Sequence, residues 1–165
     1  MPETRGRLRK AGVADVESIY KLLTPQAAVG VVLPRTRMDL YSFLRDYFVW
    51  DEPGQGIIGV AGLHICWSDL AEVRSVVVEQ SWRGAGRGRR LVAACLAEAR
   101  ELGIARAFVL TNREDFFGKQ GFRRVDKSTL PQKIWIDCVN CFKFPDCDEV
   151  PMELCLDGRG GDGLA

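Results

Sequence analysis

Arg83-Gly84-Ala85-Gly86-Arg87-Gly88 lies between a β-branched run at residues 73–79 and a segment with helical spacing at residues 89–102. No other feature narrows the possible folds as far. A glycine-rich turn at a strand-to-helix junction lets several backbone N–H groups point into one concavity, at the positive end of a helix dipole. Arg83, Arg87, Arg89 and Arg90 add charge there. The turn is a phosphate receptor, and the question is which phosphate-bearing molecule it holds.

The rest of the chain supplies the frame for that turn. Residues 8–11 read as a strand, and Asp15 opens a helix with Val16, Ile19, Tyr20, Leu22 and Leu23 on one side. Residues 24–34 look irregular. A second helix follows, with Met38, Leu40, Tyr41, Leu44 and Tyr47 roughly on one face. Strands at 48–50 and 57–67 flank the turn residues 51–56 and predict a hairpin. The strand at 71–79 feeds the glycine turn. Leu91, Val92, Cys95, Leu96, Ala99 and Leu102 make the apolar face of the long helix, which Gly103 stops. A strand at 105–111, a short helix at 113–120, and strands at 122–125 and 150–156 complete the pattern. A meander of strands followed by a strand–helix–strand unit predicts an α/β fold with a sheet of mixed direction.

Composition excludes several classes. With 165 residues the chain fits one domain, expected over 1–156, with a glycine-rich and disordered tail at 157–165. The net charge of +1 implies no bulk attraction to nucleic acid or membrane. No apolar run approaches the ~20 residues that span a bilayer, and the basic first ten residues lead into no signal-type core. The expectation is a cytoplasmic protein with mostly reduced cysteines.

The order strand, Arg83-x-x-Gly86-x-Gly88, helix, strand, then Phe116-Phe117-Gly-Lys-Gln-Gly121-Phe122 resembles the GNAT superfamily of acetyl-CoA-dependent N-acetyltransferases, over about residues 8–156. Leu33-Pro34-Arg35-Thr36, Ala71-Glu72-Val73-Arg74-Ser75, Leu110-Thr111-Asn112 and Leu130-Pro131-Gln132-Lys133-Ile134-Trp135 are similar to the short bacterial N-acetylglutamate synthases. The resemblance implies a mostly antiparallel mixed sheet with two splayed central parallel strands flanked by helices. Pantetheine would lie in the gap like an added strand, against Val76, Val77 and Val78. The pyrophosphate would sit on the N–H groups of Gly84, Ala85, Gly86, Arg87, Gly88 and Arg89, with Arg83, Arg87 or Arg90 reaching the ribose phosphate. Asn112 and Phe117 join the cofactor set by the same resemblance. A dinucleotide fold is the rival for such a turn, but there the turn belongs to the first strand–helix unit rather than mid-chain.

Acetyl transfer to an amine requires removal of the ammonium proton, stabilisation of an oxyanion, and a fate for the thiolate. Glu72 is the candidate base, and a backbone N–H near Val76 or Val77 the oxyanion donor. The superfamily often places a tyrosine general acid where this chain has Phe117, so either Thr111, Ser75 or water protonates the thiolate or the thiolate leaves unassisted, with Thr111 ranked first. A dicarboxylic acceptor calls for cations; Arg35, Arg74 and Lys133 are the candidates, and Glu72 and Arg74 share strand parity unless a bulge intervenes. The resemblance to the short synthases implies L-glutamate as acceptor and arginine biosynthesis as context. Rival readings are another amine or protein N-terminus as acceptor, and an acyl-CoA-binding regulatory module. Superfamily members commonly dimerise, which leaves a homodimer open.

Cys138, Cys141 and Cys147 have the spacing of three thiolate ligands. A fourth would have to be Asp148, Cys155 or His64. The set is incomplete, so reduced structural cysteines are the first reading, with a zinc site, possible but not expected, and redox chemistry as the alternatives. Cys66 and Cys95 read as small core residues.

Overall fold

A computed structural model describes residues 6–130 and 149–157. Strands β1 (Arg7–Lys10), β2 (Tyr47–Glu52), β3 (Gly56–Trp67), β4 (Leu70–Val78), β5 (Arg106–Thr111), β6 (Arg123–Arg124) and β7 (Val150–Cys155) form one sheet in the order β1-β2-β3-β4-β5-β7-β6. All neighbours are antiparallel except the central pair β4 and β5. Helices α1 (Val16–Ala28), α2 (Arg37–Ser42), α3 (Arg87–Glu101) and α4 (Glu114–Gly118) accompany it. The mixed sheet expected from the sequence is present, with its parallel pair produced by the crossover through α3.

Helices cover both faces. On one, Leu91, Val92, Cys95, Leu96 and Ala99 of α3 pack with Ala71, Val73, Val76 and Val78 of β4. On the other, Val16, Ile19 and Leu23 of α1 pack with Leu40, Tyr47, Val49, Val60 and Val77. Each large aliphatic side chain buried this way contributes about 1.5–3 kcal/mol. Leu102, expected in the α3 stripe, is instead 54% exposed. It is the C-cap, beyond the last full turn that faces the sheet.

The valines of β4 carry a further signal. Ala71 and Val73 point to the α3 side, as do Val76 and Val78, so strand alternation changes parity between them. Ser75 causes this: its φ of +56° is the only left-handed non-glycine value among the described residues. Gly62 pairs with Arg74 and Val60 with Val77, so Ser75 and Val76 together oppose Ala61. That is a β-bulge. It falls after Arg74, which leaves Glu72 and Arg74 on one side of the sheet.

Two helix boundaries differ from expectation. α1 runs through Pro25 to Ala28 rather than ending before Thr24. Proline removes one N–H, but the helix ends three residues later, and the Thr24 hydroxyl donates to the Tyr20 carbonyl at 2.7 Å. α2 is shorter than its apolar spacing suggested. It opens with reciprocal Thr36–Asp39 capping bonds of 3.0 and 2.9 Å and ends at Ser42. A 3-10 turn, Leu44–Asp46, then redirects the chain so that Tyr47 starts β2. Met38 and Tyr41 consequently stay exposed while Leu40 is buried. Among the described residues no helix is long and apolar enough to cross a membrane.

Candidate active site

The parallel pair is joined only at Leu70–Arg106, Ala71–Ala107 and Glu72–Phe108. Beyond these positions β4 and β5 part, and the opening lies between the bulge and the last residues of β5. Arg35, Glu72, Arg74, Ser75, Val76, Thr111, Arg113, Phe117 and Glu149 line the cleft above it. Thus Arg35, Glu72, Arg74, Thr111 and Phe117, separated by up to 82 positions, meet in one place.

Glu72 is half-buried in this cleft. Burial pushes its carboxyl above the usual carboxylate range; the charges of Arg74, Arg35 and His64 pull it down without cancelling the rise, and Glu149 adds to it. The Nε–H groups of Arg35 and Arg74 are buried and make no hydrogen bond. Buried donors of this kind are costly unless they meet an acceptor. Arg35 and Arg74, together with Arg113, whose Nε–H is likewise buried and unmatched, therefore face the cleft as forked cations, the arrangement that takes a carboxylate.

Thr111 is buried, and its hydroxyl oxygen accepts the Arg113 backbone N–H at 2.9 Å. The hydroxyl keeps its own hydrogen to donate. Phe117 is 1% exposed and meets Phe116 and Phe122 edge-on, with ring centroids 4.9 and 5.5 Å away. It shapes the cleft wall and offers no proton.

Arg113 is a member of the site that sequence reasoning missed. Its guanidinium crosses the opening and donates to the Val76 carbonyl at 2.8 Å. Burial, with a smaller contribution from Arg83, lowers its pKa from the usual arginine value. The available signal was its place just past the carboxyl end of a parallel strand, where α/β folds gather functional side chains. Glu149 was missed because nothing local ties it to the cleft. Lys133 and the cysteines Cys138, Cys141 and Cys147 lie outside the described residues. Of the other proposed metal ligands, Cys155 closes β7 and His64 pairs with Asp46, Nδ1 to Oδ2 2.8 Å. Among the described residues no group of three metal-ligating side chains gathers.

The glycine turn leads into α3 beside the opening. Gly84 and Gly86 have φ of +89° and +80°, and Gly86 is the helix N-cap. The first helical N–H groups after it have no partner within the helix. At Gly88, a Cβ would sit 3.3 Å from the Phe116 ring, a tight contact that the ring would have to relieve by shifting a few tenths of an ångström. Arg83 and Arg89 are exposed at the turn, and the Arg83 Nε–H donates to the Val78 carbonyl at 2.9 Å. Arg87 is engaged elsewhere: it donates to the Trp82 carbonyl at 3.1 Å and stacks near Trp82 and Trp50. Gly86→Ala, which forces a left-handed conformation on a residue with a Cβ, is expected to cost about 1–2 kcal/mol in denaturant unfolding.

The sequence profile of the acetyltransferase (GNAT) family matches residues 16–122. An uncharacterised N-acetyltransferase of Chlorobaculum tepidum is 38% identical over 94% of this chain and 100% of its own. An amino-acid acetyltransferase of Mycobacterium tuberculosis is 30% identical over 81% of this chain and 77% of its own. Among solved structures, N-acetylglutamate synthase from Neisseria gonorrhoeae, complexed with coenzyme A and N-acetyl-glutamate, superposes with a TM-score of 0.84 at 25% identity, covering 93% of this chain and 36% of that one. The profile spans well over half of the sequence, and the chain belongs to the acetyltransferase (GNAT) family.

Proposed function

We propose that this acetyltransferase acts on L-glutamate, making N-acetylglutamate from acetyl-CoA, the step that opens arginine biosynthesis. The observation that carries the proposal is the pair of unmatched, buried Arg35 and Arg74 Nε–H donors beside Glu72. A polyamine or lysine side chain would meet repulsion there; a dicarboxylate meets two forks. The similarity to proteins named amino-acid acetyltransferase and to a synthase holding N-acetyl-glutamate points the same way.

The residues present fit the carrier. The turn at Gly84, Ala85, Gly86, Arg87, Gly88 and Arg89 would hold the pyrophosphate on main-chain N–H groups, with Arg83 exposed beside it. The opened backbone of Val76, Val77 and Val78, with Asn112 and Phe117 at its margin, would hold the pantetheine arm. Bound acetyl-CoA supplies the acetyl group as a thioester. Glu72 takes the ammonium proton of the acceptor, since an amino group of pKa about 8 or higher arrives mostly cationic at neutral pH. The bulge at Ser75–Val76 releases main-chain N–H groups from the ladder for the developing oxyanion. Thr111 offers a hydroxyl proton to the departing sulfur, and the Arg113 guanidinium stabilises negative charge in the same cleft.

Thiol release from acetyl-CoA, screened across the amino acids, tests this directly. Turnover with glutamate should exceed that with glutamine at least about tenfold, the discrimination expected when one charged hydrogen bond is lost. Equal rates with both would remove the carboxylate argument.

A further inference from the structure

The imidazole of His64 is the chain's one histidine ring, and its position relative to Glu72 has a chemical use. His64 on β3 is the direct cross-strand partner of Glu72 on β4, so both side chains rise from the same face of the sheet. Such partners have Cβ atoms about 4.5–5.5 Å apart. On its other side, His64 Nδ1 lies 2.8 Å from Asp46 Oδ2. A carboxylate only accepts, so Nδ1 carries the hydrogen and the neutral ring keeps Nε2 as a proton acceptor. The ring is also fixed by Phe43, edge-on at 5.3 Å between centroids. Arg74 closes the cluster, with its guanidinium 3.8 Å from Asp46 and over the Phe43 ring.

We infer that the Asp46–His64 pair relays to solvent the proton that Glu72 removes from the acceptor amine. The inference rests on the acetyltransferase reading of the cleft and deepens it. A base that is half-buried and uncharged after one proton transfer must be emptied before the next turnover. The Glu72 carboxylate takes H⁺ from the ammonium and becomes the acid. It passes that proton to Nε2 of neutral His64 and is a carboxylate again. Asp46 holds the imidazolium through Nδ1–H, and Nε2 then returns the proton to water; the His64 side chain is 29% exposed, enough to reach it. Nothing is oxidised or reduced, and each group ends as it began. His64 acts through Glu72 and is a positioning residue rather than a catalytic one. The charged groups facing it are Asp46 from the 3-10 turn and Glu72 and Arg74 from β4, with Arg35 close enough to Glu72 to act on the same charge.

Because the chain has a single histidine, long-range ¹H–¹⁵N spectra of ¹⁵N-labelled full-length protein report this ring alone, with or without turnover. The expected neutral form is the Nδ1–H tautomer, in the wild type and in Glu72→Gln alike. The Nε2–H tautomer would overturn the relay. Kinetics give the second arm, with whichever amine the wild type acetylates. His64→Gln should lower kcat about 10- to 100-fold with KM for both substrates within about twofold, and added imidazole should restore part of the loss. A raised acceptor KM with unchanged kcat would assign His64 to binding and end the proposal. Failure of the wild type to use glutamate would count against the proposed acceptor alone, since the spectra judge the relay independently.

Discussion

Glu72→Gln should lower kcat about 100- to 1,000-fold while leaving acetyl-CoA binding intact, the range expected when a positioned general base is removed. The amide keeps the shape of the carboxyl and cannot accept the ammonium proton. The pH dependence is the sharper readout. In the wild type, activity should fall on the acid side as Glu72 protonates, and burial places that limb above the usual carboxylate range. The variant should lack this limb. Stability should move the opposite way. A carboxyl whose folded pKa is raised binds a proton in the folded state that the unfolded chain has already released. Its stabilising contribution is therefore full below the ordinary glutamate pKa and lost as pH rises through the folded value. Glu72→Gln should consequently raise Tm at neutral pH, with a gain that vanishes in acid. An inactive variant that is also less stable at neutral pH would indicate misfolding rather than loss of a base. Full turnover from pH 6 to 9 would eliminate Glu72 from the chemistry.

Arg35→Gln and Arg74→Gln should each lower kcat/KM for glutamate about 10- to 150-fold, from the 1.5–3 kcal/mol that a hydrogen bond to a charged group contributes. The effect should appear mainly in the glutamate KM, with the acetyl-CoA KM unchanged. Comparing glutamate with glutamine sorts the two residues. The arginine that holds the side-chain carboxylate should lower the glutamate rate far more than the glutamine rate; the one that holds the α-carboxylate should lower both alike. Arg74→Gln carries an added consequence, because Arg74 also neighbours Asp46. If neither substitution changes the glutamate-to-glutamine ratio, recognition of the second carboxylate lies outside this pair.

Local patterns made much of this legible in the sequence. The α3 stripe from Leu91 to Ala99 appears at helical spacing and is buried as expected. The β2–β3 hairpin follows from its turn residues, and the glycine turn stands where strand meets helix. Arg35, Glu72, Arg74 and Thr111 were drawn from three separate segments by resemblance, and they line one cleft. What stayed hidden depends on contacts distant along the chain. Pro25 reads as a helix breaker unless the neighbouring Thr24 hydroxyl and the packing of α1 are known. The Ser75 bulge leaves no trace in composition, since a serine at positive φ is held there by its surroundings. Asp46 meets His64 only because a 3-10 turn ends α2 early and brings residues 18 apart together.

The parting of β4 from β5 has a consequence for solubility. A sheet opened in its middle exposes backbone of the kind normally confined to rims, and unpaired rims invite stray extended segments from other chains to add themselves. Here the sticky stretch is internal, walled by helices, and one of its carbonyls is already taken by a charged side chain, that of Arg113. A desolvated guanidinium is a poor neighbour for an incoming apolar strand.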